Sequence, residues 1–201
     1  MRLNPGNIRD PDKVKLVVEA AKERAVPIRI GVNAGSLPPP QPGDERSTSE
    51  RMVDLALEQI RLLEALDFRL IKVSLKAFDV PTTVEAYRRI AKLIPYPLHL
   101  GITEAGTPRT GAVRSAAGLG IMLYDGIGDT IRVSLTGHPG EEVRVAYEIL
   151  KSLNLRQRGP TLISCPTCGL CQVDHIPVAE EVERRLSYLD ADITVAVIGC
   201  S

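Results

Sequence analysis

Tryptophan is missing from this sequence and the other aromatics are scarce, together only 3% of 201 residues. That removes the stacking platforms on which single-stranded nucleic acids are held. An excess of either charge is missing too: 25 basic residues face 25 acidic ones, so nothing in the composition draws the chain to a nucleic acid or an anionic membrane. No run of 18 apolar residues occurs, and the opening "MRLNPGNIRD" lacks the apolar core of a secretion signal. The expectation is a cytoplasmic protein in a reducing compartment. Cysteine is limited to four, and three of these fall in "SCPTCGLC" at 164–171. In a reducing compartment such clustering points to a soft metal rather than to disulfides. What is present is an ordinary globular composition, 44% hydrophobic and 25% charged, on a chain long enough for a large domain with a smaller companion.

Up to about residue 155 short β-rich runs alternate with amphipathic stretches, the pattern of parallel βα units. The strands are "PIRIGVN" (27–33), "RLIKVSLK" (69–76), "PLHLGIT" (97–103) and "TIRVSLT" (130–136). Helix starts are signalled by Asp10 before Pro11, by Ser47 with Glu50 three residues on, and by Pro81 before "TTVEAYRRIAKL". The proline-rich "LPPPQPGDERS" (37–47) reads as an exposed loop. After "NLRQRGP" (154–160) the character changes: "TLIS" runs into the cysteines, a helix is expected at about 177–189, and "DITVAVIG" (192–199) reads as a buried strand delivering Cys200. The expected domains are therefore 1–157 and 158–201.

Read with period two, each of the first four strands has two faces. One is apolar throughout: Ile28, Ile30, Val32; Ile71, Val73, Leu75; Leu98, Leu100, Ile102; Ile131, Val133, Leu135. The other is polar or small: Arg29, Gly31, Asn33; Lys72, Ser74, Lys76; His99, Gly101, Thr103; Arg132, Ser134, Thr136. Alternation alone suits an antiparallel sheet with one face in water. The intervening helices instead make the strands parallel and must cover the apolar face, so the polar set lines a barrel interior and mouth. Arg29, Lys72, Lys76, His99 and Arg132 would then gather with few acids opposite them. Burying such cations costs several kcal/mol each unless an anion compensates, so the pattern predicts a phosphate or diphosphate ligand at the strand ends. Glu104, directly after a strand in "TEAG", is placed as a proton donor or hydroxyl binder; its bland alternative is a helix N-terminal acid. The glycine-containing "NPGN", "NAGS", "EAGT" and "GIGDT" match no phosphate-cradling signature and read as turns, and the GxG of "AAGLGIMLYDG" (116–126) falls in a helix without dinucleotide-binding context.

The spacing CxxCxxC opens a ferredoxin-type iron-sulfur run but lacks its usual fourth Cys-Pro. A zinc site is the rival, with Cys200 distant in sequence and His175 an awkward fourth ligand. Spacing alone does not choose between these metals, and unliganded buried thiols are the bland reading. A redox cluster beside an anion-binding barrel favours delivery of electrons to a phosphorylated substrate.

The stretches "RLNPGN", "IRIGVNAGSL", "KVSLKA", "HLGITEAG", "GIGDTIRVSL", "CPTC" and "IGC" resemble, in order and over essentially the whole chain, the 4-hydroxy-3-methylbut-2-enyl diphosphate synthase family of the non-mevalonate isoprenoid pathway. The resemblance implies an α/β fold, a partial TIM-type barrel followed by a smaller α+β iron-sulfur domain. It implies reductive opening of 2-C-methyl-D-erythritol 2,4-cyclodiphosphate to (E)-4-hydroxy-3-methylbut-2-enyl diphosphate, with two electrons from ferredoxin or flavodoxin, in a homodimer. By motif it makes Cys165, Cys168 and Cys200 ligands of a [4Fe-4S] cluster. Arg2, Arg29, Asn33, Lys76, Arg132 and Ser134 would meet the diphosphate, and Glu104 the reacting hydroxyl. The family's fourth cluster ligand is a glutamate in an "NGPGE" motif beyond Ser201, and about three further βα units precede this sequence in the family. The expectation is therefore an internal or truncated piece with half a barrel, open strand edges and poor stability or non-native association. Cys171 is not a ligand by motif and is open as a substitute thiolate. Two other readings stand beside this one: a zinc-stapled barrel lyase or aldolase acting on a sugar phosphate, with Lys76 as a Schiff-base lysine, and an inactive truncated gene product.

Overall fold

The structure, a computed structural model, describes residues 1–8, 10–166 and 168–200. The chain divides into two compact units, Met1–Ile149 and Leu150–Ser201. The first opens with β1 (Arg2–Leu3), α1 (Pro11–Glu23), β2 (Ile28–Asn33) and a 3-10 turn (Ala34–Ser36), followed by α2 (Thr48–Ala65), β3 (Ile71–Lys76) and α3 (Val80–Ile90). It closes with β4 (His99–Leu100), α4 (Pro108–Tyr124), β5 (Thr130–Ile131) and most of α5 (Pro139–Ser152), whose last three residues belong to the second unit. All of its strand pairs are parallel and in sequence order: β1-β2-β3 form one sheet, β4-β5 a second, and a bridge from Val73 to Leu98 joins them. This is an open arc of a TIM-type barrel, with no closure among the described residues.

The helix starts follow the sequence signals. Asp10 accepts from the Asp12 amide ahead of α1, Ser47 and Glu50 form a reciprocal capping box on α2, and Asp79 accepts from the Thr82 amide on α3. Residues 37–47 contain neither helix nor strand. The apolar strand face is the core: Ile28, Ile30, Val32, Val73, Leu75, Leu100 and Ile102 are fully buried, under Val14 and Val18 of α1, Met52, Ala56 and Leu63 of α2, and Leu119 and Met122 of α4. Burial of this one-sided face is the main stabilising term, about 1.5 to 3 kcal/mol for each large aliphatic side chain.

Strands β4 and β5 are much shorter than the runs 97–103 and 130–136 that their sequence predicts. Between β3 and β4 the ladder is interrupted by Tyr87 of α3, fully buried, whose hydroxyl accepts from the Leu75 amide at 3.0 Å and donates to the His99 carbonyl at 2.6 Å. A phenol stands where a direct ladder bond would run, while the bonds on either side, Val73 amide to Pro97 carbonyl and Thr103 amide to Ala77 carbonyl, are kept. On the β4-β5 side, Asp129 takes the Leu98 amide through its carboxylate.

The second unit contains β6 (Thr161–Ser164), α6 (His175–Leu186) and β7 (Thr194–Val197), with β6 and β7 parallel. The segment 192–199 is not the buried strand its sequence predicts. Ile198 is 62% exposed and Ile163 54%, because a two-stranded sheet with one helix beside β7 has faces left uncovered. No helix among the described residues is long and apolar enough to cross a membrane.

Candidate functional site

The register of the parallel strands sets the polar residues side by side. Arg29 pairs with Arg2 on one side and Lys72 on the other, Gly31 with Ser74, and Asn33 with Lys76, so Asn33 and Lys76 share the C-terminal rim of β2 and β3. Arg2 lies across β2, its guanidinium donating to the Gly31 carbonyl at 3.4 Å. Lys76 is only 8% exposed, and its ammonium passes over Gly101, where a Cβ would fall 2.7 Å from Lys76 Nζ and 2.7 Å from the Arg132 carbonyl. The absence of a side chain at Gly101 is what leaves room for the lysine.

The electrostatics follow from this crowding. Burial, then Arg29, Arg132 and Arg2, push Lys76 from its ordinary 10.5 down to about 8, with Glu142 opposing. Arg29 is lowered as well, by burial and then by Arg2. His99 is driven down to about 3 by burial and by Lys76, Arg29, Lys72 and Arg132, so its imidazole is neutral at neutral pH. Its Nδ1 lies 2.9 Å from Thr130 Oγ1, and its buried Nε2 has no partner among the described residues. Glu142 is the carboxylate on this side, 3.8 Å from Arg132 Nε and fixed by the Leu135 amide at 2.9 Å. The strand face thus brings together Arg2, Arg29, Lys76, His99 and Arg132 around too little negative charge, and a di- or polyanion is the chemical complement.

Glu104 stands exposed in the loop after β4 with φ 55°, a left-handed conformation uncommon outside glycine. It precedes the Thr107 cap of α4 by three residues and is not in the helix's first turn. The loop is held by Arg114 of α4, which donates to the Ala105 carbonyl and stacks over Phe78 with 4.0 Å to the ring centroid. Ser134 follows β5, half-buried. The reading of the sequence missed Tyr87, Glu142 and Arg114. Tyr87 had a signal: it lies on the apolar stripe of Val84 and Ile90, and a buried tyrosine needs a partner for its hydroxyl.

In the second unit the β6-β7 register matches Ser164 with Val197, which draws Cys165 and Cys200 to the same strand ends. The Cys165 amide donates to the Val197 carbonyl at 3.3 Å, the Gln172 amide to the Gly199 carbonyl at 2.9 Å, and the Cys171 amide to the Cys168 carbonyl at 3.0 Å, closing the loop. All four cysteines are free thiols. No three His, Cys, Asp or Glu side chains among the described residues are gathered at metal-holding distance. The donor chemistry nevertheless fits a soft metal group: Cys165, Cys168, Cys171 and Cys200 would offer sulfur ligands from one loop and the segment after β7.

These features define a partial βα barrel with a cationic rim, followed in the chain by a small thiol-rich unit. Residues 1–147 match the model of the GcpE TIM-barrel domain and residues 161–201 that of the GcpE protein C-terminal domain, and the chain belongs to the GcpE family. It is 65% identical over 201 residues to a 4-hydroxy-3-methylbut-2-en-1-yl diphosphate synthase (flavodoxin) of Dehalococcoides mccartyi, covering 100% of this chain and 58% of that protein. It is 62% identical over 208 residues to the protein of the same name from Geobacter sulfurreducens, covering 100% of this chain and 57% of that one. The chain thus spans a little over half the length of these relatives.

Proposed function

We propose that this chain carries the diphosphate-binding rim and the cluster thiols of a 4-hydroxy-3-methylbut-2-enyl diphosphate synthase. In this reading 2-C-methyl-D-erythritol 2,4-cyclodiphosphate is opened reductively to (E)-4-hydroxy-3-methylbut-2-enyl diphosphate, with two electrons taken up and a hydroxyl lost as water. The observation that carries the reading is the Lys76 ammonium, buried among Arg29, Arg132 and Arg2 and lowered to about 8: a diphosphate is the group that relieves this repulsion. Arg2, Arg29, Asn33, Lys76, Arg132 and Ser134 bind it within residues 1–157, and Glu104 lies beside the departing hydroxyl. Residues 158–201 are the cluster domain, in which Cys165, Cys168 and Cys200 hold a [4Fe-4S] group. When bound, that group supplies electrons at low potential. The names of the relatives favour flavodoxin over ferredoxin as the donor, and a reducing cytoplasm and a homodimer belong to the same reading.

The test is calorimetric titration of the chain with the cyclic diphosphate. Salt-sensitive binding that is lost in K76M supports the assignment; no binding, or equal binding by K76M, refutes it. One observation also favours a second reading. A lysine lowered to about 8 is nucleophilic enough for imine chemistry on a carbonyl sugar phosphate, and borohydride trapping of a covalent adduct at Lys76 distinguishes the two.

A further inference from the structure

In the unit Leu150–Ser201 most apolar side chains stand at least partly in solvent, and the buried residues among those described are His175 and Gly199. His175, the first residue of α6, is 3% exposed. Its Nε2 lies 3.0 Å from Ser164 Oγ and 3.8 Å from Cys165 Sγ. The opposite edge of the ring faces Gly199, where a Cβ would fall 3.2 Å from His175 Nδ1 and 2.5 Å from Cys171 Sγ. A side chain at residue 199 would crowd the imidazole and the Cys171 thiol, so the glycine is part of how the ring is seated between the strand ends and the cysteine loop.

We propose that His175 donates a hydrogen bond from Nε2 to the Cys165 sulfur and thereby raises the reduction potential of the metal group that this thiolate holds; the inference rests on the cluster reading above. A cysteine that ligates metal is a thiolate. A bare Nε2 lone pair facing that anion is repelled, whereas an N–H is attracted, so the thiolate selects the Nε2–H tautomer. The same N–H is within reach of Ser164 Oγ, and the donor is shared between hydroxyl and sulfur. A hydrogen bond to a ligating sulfur withdraws charge from it and stabilises the electron-richer, reduced state. His175 is thus a positioning residue, acting on electron transfer through Cys165 rather than by touching substrate.

The test is redox titration of the anaerobically reconstituted chain, wild type beside H175L and H175Q, with dithionite as the source of the electron and iron and sulfide assayed on each sample. Leucine fills the space without a donor, while the glutamine amide N–H reaches the position of Nε2. The expected result is a tenfold weaker reduction equilibrium in H175L, about 59 mV lower for one electron, with H175Q close to wild type. An unchanged midpoint in H175L at full iron and sulfide overturns the proposal and leaves the cluster reading standing. Wild-type chain that takes up no sulfide overturns the cluster reading, and this inference with it. Where H175L loses its metal, wild type carrying 15N-histidine decides: pulsed EPR of the reduced sample shows a histidine nitrogen and an exchangeable proton coupled to the spin, and a spectrum lacking both refutes the hydrogen bond.

Discussion

Replacing Lys76 by methionine keeps the length of the side chain and removes its charge, so the variant isolates the cost of an ammonium buried among guanidinium groups. Lys76 falls from an ordinary 10.5 to about 8 in the folded chain. At about 1.4 kcal/mol for each tenfold change in proton affinity, holding the proton at neutral pH costs about 3 kcal/mol. K76M should therefore be more stable than wild type at pH 7, with a Tm higher by about 6 to 12 °C at the usual 2 to 4 °C per kcal/mol for domains of this size. The pH dependence has a definite sign. Between pH 8 and 10.5 the unfolded lysine keeps a proton that the folded one has released, so wild-type stability rises with pH across that window. Below pH 8 both states are protonated and the cost is present in full; K76M lacks the rise. Pyrophosphate should supply the missing countercharge, raising the Tm of wild type and leaving K76M nearly unmoved. Scanning calorimetry at pH 7 and pH 10, with and without pyrophosphate, reads all of these. A K76M chain less stable than wild type at pH 7, or one that pyrophosphate stabilises equally, refutes the reasoning.

Y87F strands the Leu75 amide and the His99 carbonyl between β3 and β4, so urea unfolding should show a loss of about 2 to 4 kcal/mol; a loss under 1 kcal/mol contradicts the bridging role. G101A sets a methyl 2.7 Å from the Arg132 carbonyl and 2.7 Å from Lys76 Nζ, and the backbone contact has no side chain to yield, so destabilisation of about 1 to 3 kcal/mol is expected together with loss of pyrophosphate binding. His99, lowered from 6.5 to about 3, refuses a proton that the unfolded chain accepts, so stability falls as pH drops through that window. H99Q lacks this component, and its urea midpoint should fall less than that of wild type between pH 7 and pH 4; parallel curves count against it.

The apolar faces of the four barrel strands were legible because burial under helices leaves a strict period of two, and Ile28, Val73 and Leu100 are buried as that period requires. Strand length was less legible. Nothing local in "PLHLGIT" announces that a tyrosine twelve residues before His99 takes over its carbonyl. Parity also brought Lys72 and Lys76 together without showing that Lys76 alone is deeply enclosed, since that depends on a glycine in the neighbouring strand. The small unit misled in the opposite direction. "DITVAVIG" is apolar enough for a core strand, but a strand is buried only by what covers it, and Ile198 stands 62% exposed. The cysteines were visible from spacing, and His175 was read beside them only as an awkward zinc ligand; its burial was not legible, because it depends on α6 and Gly199 meeting at the ends of β6 and β7.

The central claim joins an anion-binding rim to a redox-active metal group, and the metal is its more exposed half. The most direct measurement is iron, acid-labile sulfide and zinc per chain, on protein purified and reconstituted without oxygen. The account predicts about four iron and four sulfide with little zinc, falling together when Cys165 or Cys200 is replaced by serine. Zinc without sulfide, or iron and sulfide indifferent to both substitutions, contradicts it.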